Sequence, residues 1–578
     1  MSTGLGAPPL PGKKGLGLLL ADADTHAPAF SQGLNEKTRQ RQNALAPGPL
    51  PERLWNEGGD ASSLAQQRWG LILPEGELGD ALLDRIAPLV AHRRRQQGDA
   101  PIAIYRAPAQ ATDSEAALWR KRQFDTAKDT RESLPRYQLI LGNLDQVALS
   151  IQQVQSTDGF VGRLAFDDLA GYRAYAEKVL HYEQGGQRSQ PARAVFHTVH
   201  DGTEATKLGY QALMAPGVAI TQRKALERKL RASAVLDAGD RTTPSRDDLL
   251  REAADADPAV LFSLSHGAGT PRRGWKIAGE QRRRQGGLVF PDGLLLGADV
   301  ATRPFLPGGI WFMFACFGAG TPESSSYHHW LQSLRQSGEL SDDLEMVLRS
   351  LPQPGERPFV AAVPQAVLSN PQGPLAVIGH VDLAWSYSFS ELDTGEQVDR
   401  PARFVQVVMD LLNGGRAGTA FRSLMLALGA TNSELATIYD RLARTANAAP
   451  NPKVDARRAY LWMQRQDLAG YVLLGDPATR LPLAPLDAAA SLPVAGSPLQ
   501  PPIQRSPPDV SNPTVLMERL VGPSPQDDER INALEHAIAR FIVDPSQAVE
   551  AAKAVSLSEI ELRDMAERYR RAGRGTLR

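Results

Sequence analysis

Two stretches decide how this chain folds: AVLFSLSHGAG, residues 259–269, and GGIWFMFACFGAG, residues 308–320. Each is an unbroken apolar run that stops at a reactive side chain followed by small residues. The first delivers His266 and Gly267. The second delivers Ala315 and Cys316, and Cys316 is the only cysteine in 578 residues. Unbroken apolar runs bounded by Gly or Pro, with helix-like segments between them, are the pattern of strands buried on both faces of a mostly parallel sheet. In an open parallel sheet, reacting groups gather beyond the carboxyl ends of the strands. Two neighbouring strands of this kind set His266 and Cys316 over one crevice.

The same texture extends to both sides. RYQLILG (136–142), GFVGRLAF (159–166), ARAVFHTV (192–199), PLAVIGHV (374–381) and AGYVLLGDP (469–477) read as further strands. LAGYRAYAEKVLHYE (169–183) and TEATKLGYQALM (203–214) read as amphipathic helices between them. The reading is an α/β domain over residues 131–482. Residues 1–130 carry helical periodicity in LLDRIAPLVAHRRRQQ (82–97) and DSEAALWRKRQFDTAKD (113–129) and receive no fold of their own. Residues 483–513, rich in Pro, Ala and Ser, form a linker. Residues 514–578 form a small helical segment. There Ile531, Leu534, Ile538, Phe541 and Ile542 share one helix face, and Ser556 with Glu559 makes a capping box.

Bulk composition narrows the function. Net charge is -1, so no overall field attracts nucleic acid or anionic lipid. The basic runs AHRRRQQ (91–97) and QRRRQ (281–285) read as solvated faces. One cysteine excludes an internal disulfide and a multi-cysteine metal site, and that count fits a cytoplasmic protein. No stretch reaches the roughly 20 apolar residues of a membrane span. GKKGLGLLLADAD (12–24) breaks off too early for a signal peptide and reads as a strand. GAPPLPGKK lacks P-loop spacing, HGAGTP and FGAGTP lack the last glycine of a dinucleotide fingerprint, and neither HExxH nor GxSxG occurs. YHHW (327–330) has no ligand partner near it in sequence. No cofactor and no metal are expected.

The chemistry follows from the two strand ends. His266 takes the thiol proton of Cys316 or holds the thiolate as an ion pair. Gly267 permits close backbone approach, and its N–H with that of Cys316 faces a developing oxyanion. Such an assembly suits acyl transfer through a thioester.

These motifs resemble the caspase-like (clan CD) cysteine peptidases, which place His-Gly after one strand and Ala-Cys after the next. FACFG keeps Ala315, Cys316 and Gly318 of the caspase signature and has Phe314 in the place of its Gln. The nearer likeness is to gingipain-type and CHAT-domain peptidases, carried by FVGRLAFDDLAGYRAYAEKVLHYE, PLAVIGHVDLAWSYSF and YVLLGDPATRLP. It spans roughly residues 135–482. The resemblance implies a three-layer caspase-like fold and an endopeptidase acting on a protein or peptide substrate, with Cys316 as nucleophile, His266 as base and Gly267 at the oxyanion. It also implies a pocket for the P1 side chain. A basic P1 residue is expected there, bound by Asp201 or Glu204 on one side and by Asp382 and Trp385 on the other. No third group orienting His266 can be named from sequence. RRGWK and QRRRQGG are candidate sites of self-processing, and the C-terminal helices a docking point for a regulatory partner. A role in bacterial stress or defence signalling follows only by analogy with CHAT proteins. The alternatives are a caspase-like scaffold without turnover, or another thiol hydrolase or acyltransferase.

Overall fold

A computed structural model describes residues 59–483 apart from short interior segments (126–133, 186–190, 272–274, 338–346, 394–395 and 445–450), together with 15–16, 34–35 and short runs between 534 and 566. Most of the linker and part of the tail lie outside the described residues, as does most of the 12–24 stretch. Gly15–Leu16 is a two-residue strand.

The apolar runs form one ten-stranded sheet. In chain order its strands are β1 (Trp69–Pro74), β2 (Ala103–Ala107), β3 (Tyr137–Leu141), β4 (Phe160–Leu164), β5 (Ala192–Thr198), β6 (Ala232–Ala238), β7 (Ala259–Leu264), β8 (Ile310–Phe314), β9 (Ala376–His380) and β10 (Tyr471–Gly475). Their spatial order is β2-β1-β3-β4-β10-β9-β8-β7-β5-β6. Every neighbouring pair is parallel except β9 and β10, which run antiparallel with Ala376 opposite Gly475 and His380 opposite Tyr471. The sheet is therefore two parallel halves of opposite direction joined at one seam.

Helices cover both faces, as strands apolar on both sides require. Leu71, Leu73, Leu139 and Leu141 pack on one face with Tyr172, Tyr175 and Val179 of the helix Leu169–Gln184 and with Val363 and Val367 of the helix Ala362–Ser369. On the opposite face of the C-terminal half, Phe196, Phe262, Phe312 and Ile378 pack under Phe404, Val408 and Leu411 of the helix Ala402–Leu412. Ile72, Ile140 and Val161 meet Trp119 and Ile151 over the N-terminal half. This is the mixed, mostly parallel, three-layer α/β arrangement expected.

Two local readings change. β1 and β2 lie before residue 130, yet they belong to the same sheet, so the sheet does not begin at 131. WGLILP is a fully buried strand too short to stand out among helical periodicities. Among the arginines of AHRRRQQ, Arg94 and Arg95 are exposed but Arg93 is fully buried. Its Nε donates to Asp476 (2.7 Å) and its two terminal nitrogens donate to Glu183 (2.6 and 2.7 Å). Trp69 Nε1 also donates to Asp476 (3.0 Å), and Asp476 N–H donates to the Tyr175 hydroxyl (2.6 Å). One guanidinium thus ties the helix Ala87–Gln96 to Leu169–Gln184 and to the turn after β10. Arg93→Ala leaves two carboxylates buried without their cation, and should cost about 3–5 kcal/mol in urea unfolding. A loss under about 1 kcal/mol would show that the network contributes little net stability.

The chain divides into two compact units, residues 1–494 and 495–578. In the second, Leu534, Ile538, Ala551, Ala552 and Leu562 bury against one another. Of the expected helix face, Ile531, Phe541 and Ile542 lie outside the described residues. The capping box forms at Ser558 and Glu561, where Ser558 N–H donates to Glu561 (2.8 Å) and Glu561 N–H to Ser558 Oγ (3.3 Å). The same S-x-x-E spacing occurs two residues earlier, at Ser556 and Glu559, which lie outside the described residues. No described helix is long and apolar enough to cross a membrane.

Candidate active site

β7 and β8 are neighbours in parallel register, with Met313 opposite Ser263 and Phe314 opposite Leu264. Ser265 N–H donates to Phe314 O (3.2 Å), which continues the pairing past the formal strand end. His266 and Cys316 therefore leave adjacent strands at the same level. Gly267 lies against the Cys316 backbone so closely that a Cβ on it would overlap the Cys316 carbonyl oxygen. Only glycine fits there. His266 and Gly267 then pair antiparallel with Val289 and Leu288, in a small sheet separate from the main one. Beyond Cys316 the chain turns at Phe317, whose φ of 55° lies in the left-handed region. That conformation costs a bulky residue roughly 1–2 kcal/mol. Phe317 N–H donates to Asp382 O (2.9 Å) and its ring is buried, which holds the turn.

His266 has a partly exposed side chain (41%). Its Nε2 stands 2.9 Å from Thr203 Oγ1 and 3.6 Å from Asp201 Oδ2. Asp201 Oδ1 accepts from Thr203 N–H (3.0 Å), Thr203 Oγ1 (2.8 Å) and Thr206 Oγ1 (2.7 Å). Burial works to raise the pKa of Asp201, but the donors on Thr206 and Thr203 and the nearby imidazole outweigh it and hold the carboxyl below its usual range. An ionised Asp201 behind Thr203 favours the imidazole with its proton on Nε2, which leaves Nδ1 as the basic nitrogen. Sequence reading set Asp201 in the P1 pocket; the structure brings it to His266. The other residue of that wall, Glu204, is solvent-exposed and pairs with Lys207 (3.2 Å).

Cys316 is half-buried. The N–H of Ala384 donates to its sulfur (3.3 Å). Burial pushes the thiol up to about 11, with the Ala384 N–H acting against that rise and the charges of Asp467 and Asp382 adding to it. A thiol pushed up in this way favours the first of the two forms considered from sequence, a neutral thiol whose proton His266 would take, over a standing ion pair. Because the thiolate is the nucleophile, alkylation by iodoacetamide should quicken about tenfold per pH unit from pH 7 toward 10. A rate already at its plateau by pH 7 would show a thiolate ion pair instead.

Asp382 and Trp385 both lie close to the sulfur, in different roles. Asp382 is buried (5% exposed) and accepts from Ser325 Oγ (2.9 Å), Ser326 N–H (3.0 Å) and Leu383 N–H (2.8 Å). Its carboxylate is occupied with organising the chain beneath the thiol. Trp385 is half-buried, next to Ala384, and its ring meets those of Tyr327 and Trp330. Among the described residues no group of three or more His, Cys, Asp or Glu side chains is arranged to hold a metal ion.

No protein-family profile and no curated protein matches this sequence. Among solved structures, the chain is similar to one titled "Structure of Protease" (11% identity over 74% of this chain and 80% of that one, TM-score 0.42). It is also similar to the Arg-specific cysteine proteinase gingipain R (12% identity over 72% and 78%, TM-score 0.39). A complex of Porphyromonas gingivalis RgpB pro- and mature domains shows 11% identity over 72% and 79%, TM-score 0.34. Similarities this distant bear on neither substrate nor mechanism.

Proposed function

We propose that this protein is a cysteine endopeptidase. The observation that carries this reading is the parallel register that brings His266 and Cys316 to the same level of adjacent strands, with Asp201 and Thr203 behind the imidazole. His266 Nδ1 removes the thiol proton as sulfur attacks the substrate carbonyl. The negative oxygen of the tetrahedral intermediate meets the N–H groups of Gly267 and Cys316. Its collapse breaks the peptide bond, and the leaving amine takes the proton from His266. Water then attacks the thioester, giving its proton to His266, and the thiol re-forms with that proton.

A basic P1 preference drew on Asp201, Glu204 and Asp382. Their contacts are with Thr203, Thr206 and His266, with Lys207, and with Ser325, Ser326 and Leu383 respectively, and Trp385 packs on Tyr327 and Trp330.

A second reading is a caspase-like scaffold without turnover, and the raised thiol pKa favours it. Incubating the full chain with positional peptide libraries, wild type beside Cys316→Ala, separates the two. The peptidase reading expects cleavage in the wild type alone. Intact peptides in both would leave the scaffold.

A further inference from the structure

Beside Cys316 lies a half-buried aromatic surface that the reaction above does not use. Trp330, Trp385 and Trp462 are half-buried over the fully buried Tyr327, whose ring centroid is 5.9 Å from Trp385, 6.3 Å from Trp462 and 6.5 Å from Trp330. Trp330 and Trp385 are 5.7 Å apart, edge to face. The cysteine packs on this same cluster. The wall is fixed from behind. Asp467, fully buried, accepts from Trp385 N–H (2.9 Å) and Ser388 N–H (2.8 Å), one bond to each oxygen. His380 ties the base of the wall, with its ring nitrogens 2.9 Å from Asp382 O and 2.9 Å from Asp467 O. Trp385 Nε1 and the Tyr327 hydroxyl are buried and have no hydrogen-bond partner among the described residues.

The charges here set what such a surface accepts. Asp382 and Asp467 are the carboxylates beneath it, and both are buried and occupied by backbone and hydroxyl donors. A cationic side chain would lose its water without gaining a free carboxylate. An anionic one would approach two buried acids. A large uncharged ring loses little on leaving water and gains edge-to-face contacts.

Resting on the reading of Cys316 as a peptidase nucleophile, we propose that the half-buried surface formed by Trp330, Trp385 and Trp462, backed by the buried ring of Tyr327, receives the side chain on the acyl side of the scissile bond, and that it selects large uncharged residues, aromatic above all. Asp467 is its positioning residue.

The test has two arms. In the first, full-length Cys316→Ala is titrated with acetyl-Ala-Ala-Phe-amide, acetyl-Ala-Ala-Arg-amide and acetyl-Ala-Ala-Glu-amide, followed by tryptophan fluorescence. The phenylalanine peptide should bind on the order of 10–100-fold more tightly than the others. Adding Trp385→Ala should erase that difference. Adding the milder Trp385→Phe should shrink it and reduce the fluorescence change. Tighter binding of the arginine or glutamate peptide, or equal binding of all three, overturns the pocket assignment. In the second arm the wild type is given the same sequences within longer peptides. Cleavage after Phe supports the inference. Cleavage after Arg overturns it while leaving the nucleophile in place. Phenylalanine-selective binding without any cleavage overturns the peptidase reading, and with it the assignment of this surface as a substrate subsite.

Discussion

Replacing Cys316 with alanine should abolish peptide hydrolysis, a loss on the order of ten-thousandfold or more. The residual rate should match that of buffer, because the remaining parts of the site can bind and polarise a peptide but cannot form the thioester. Thermal stability should change little by comparison. The side chain is half-buried at the rim of an aromatic cluster, and the substitution removes a single heavy atom, the sulfur. Iodoacetamide labelling of the denatured protein should vanish altogether, since no other cysteine exists in the chain. Hydrolysis that survives the substitution at full rate would assign the activity to some other group.

His266→Ala should lower hydrolysis on the order of a thousand- to ten-thousandfold at pH 7, and the size follows from the thiol. With Cys316 pushed up to about 11 by its burial, only on the order of one thiol in ten thousand is ionised at pH 7 without a base beside it. The sign with pH is then fixed. In the variant, the thiolate fraction grows tenfold with each pH unit up to about 11, so its activity should climb steeply where the wild type is level. Imidazole added to the buffer should restore part of the rate. A variant as active as the wild type at pH 7, with a flat profile, would remove His266 from the mechanism. The Asp201 and Thr203 contacts predict a smaller loss for Asp201→Asn, on the order of a hundredfold, because the carboxylate acts on the ring partly through Thr203.

The C-terminal half of the sheet was legible from sequence because its central strands are apolar on both faces, and unbroken runs such as LFSL and IWFMF admit few other readings. The first two strands were not. β1 is a short run beside strongly helical segments, and β2 is an edge strand with half-exposed residues whose alternation is weak. The residues that carried the family resemblance turn out to hold structure. Arg163 is fully buried, donating to Gln152 (2.8 Å) and to the Gly142 carbonyl (2.8 Å), while Glu183 and Asp476 both clamp Arg93. The sequence neighbours of these residues are readable, but the partner Arg93 lies inside a basic run that looks solvated.

The site divides along the same line. His266, Gly267 and Cys316 were visible because each ends or follows a strand and local pattern alone sets its place. The contact of Asp201 with Thr203 and His266 was not foreseen, since position after a strand does not give the direction of the side chain. VHDGTEAT does hold the signal that could have found it: an Asp followed at two and five residues by threonines can accept from both and turn toward the next strand end. The aromatic surface draws on residues 327, 330, 385 and 462, which no local periodicity connects.

The central claim is that sulfur accepts an acyl group from a peptide. It is tested most directly by mixing the full-length protein with a peptide substrate, quenching in acid within milliseconds to seconds, and measuring intact mass followed by peptide mapping. A transient gain in mass equal to the acyl half of the substrate, on the fragment that carries Cys316 and removed by hydroxylamine, is the expected result. Hydrolysis that proceeds with no such adduct, or an adduct of the same mass formed on Cys316→Ala, would contradict it.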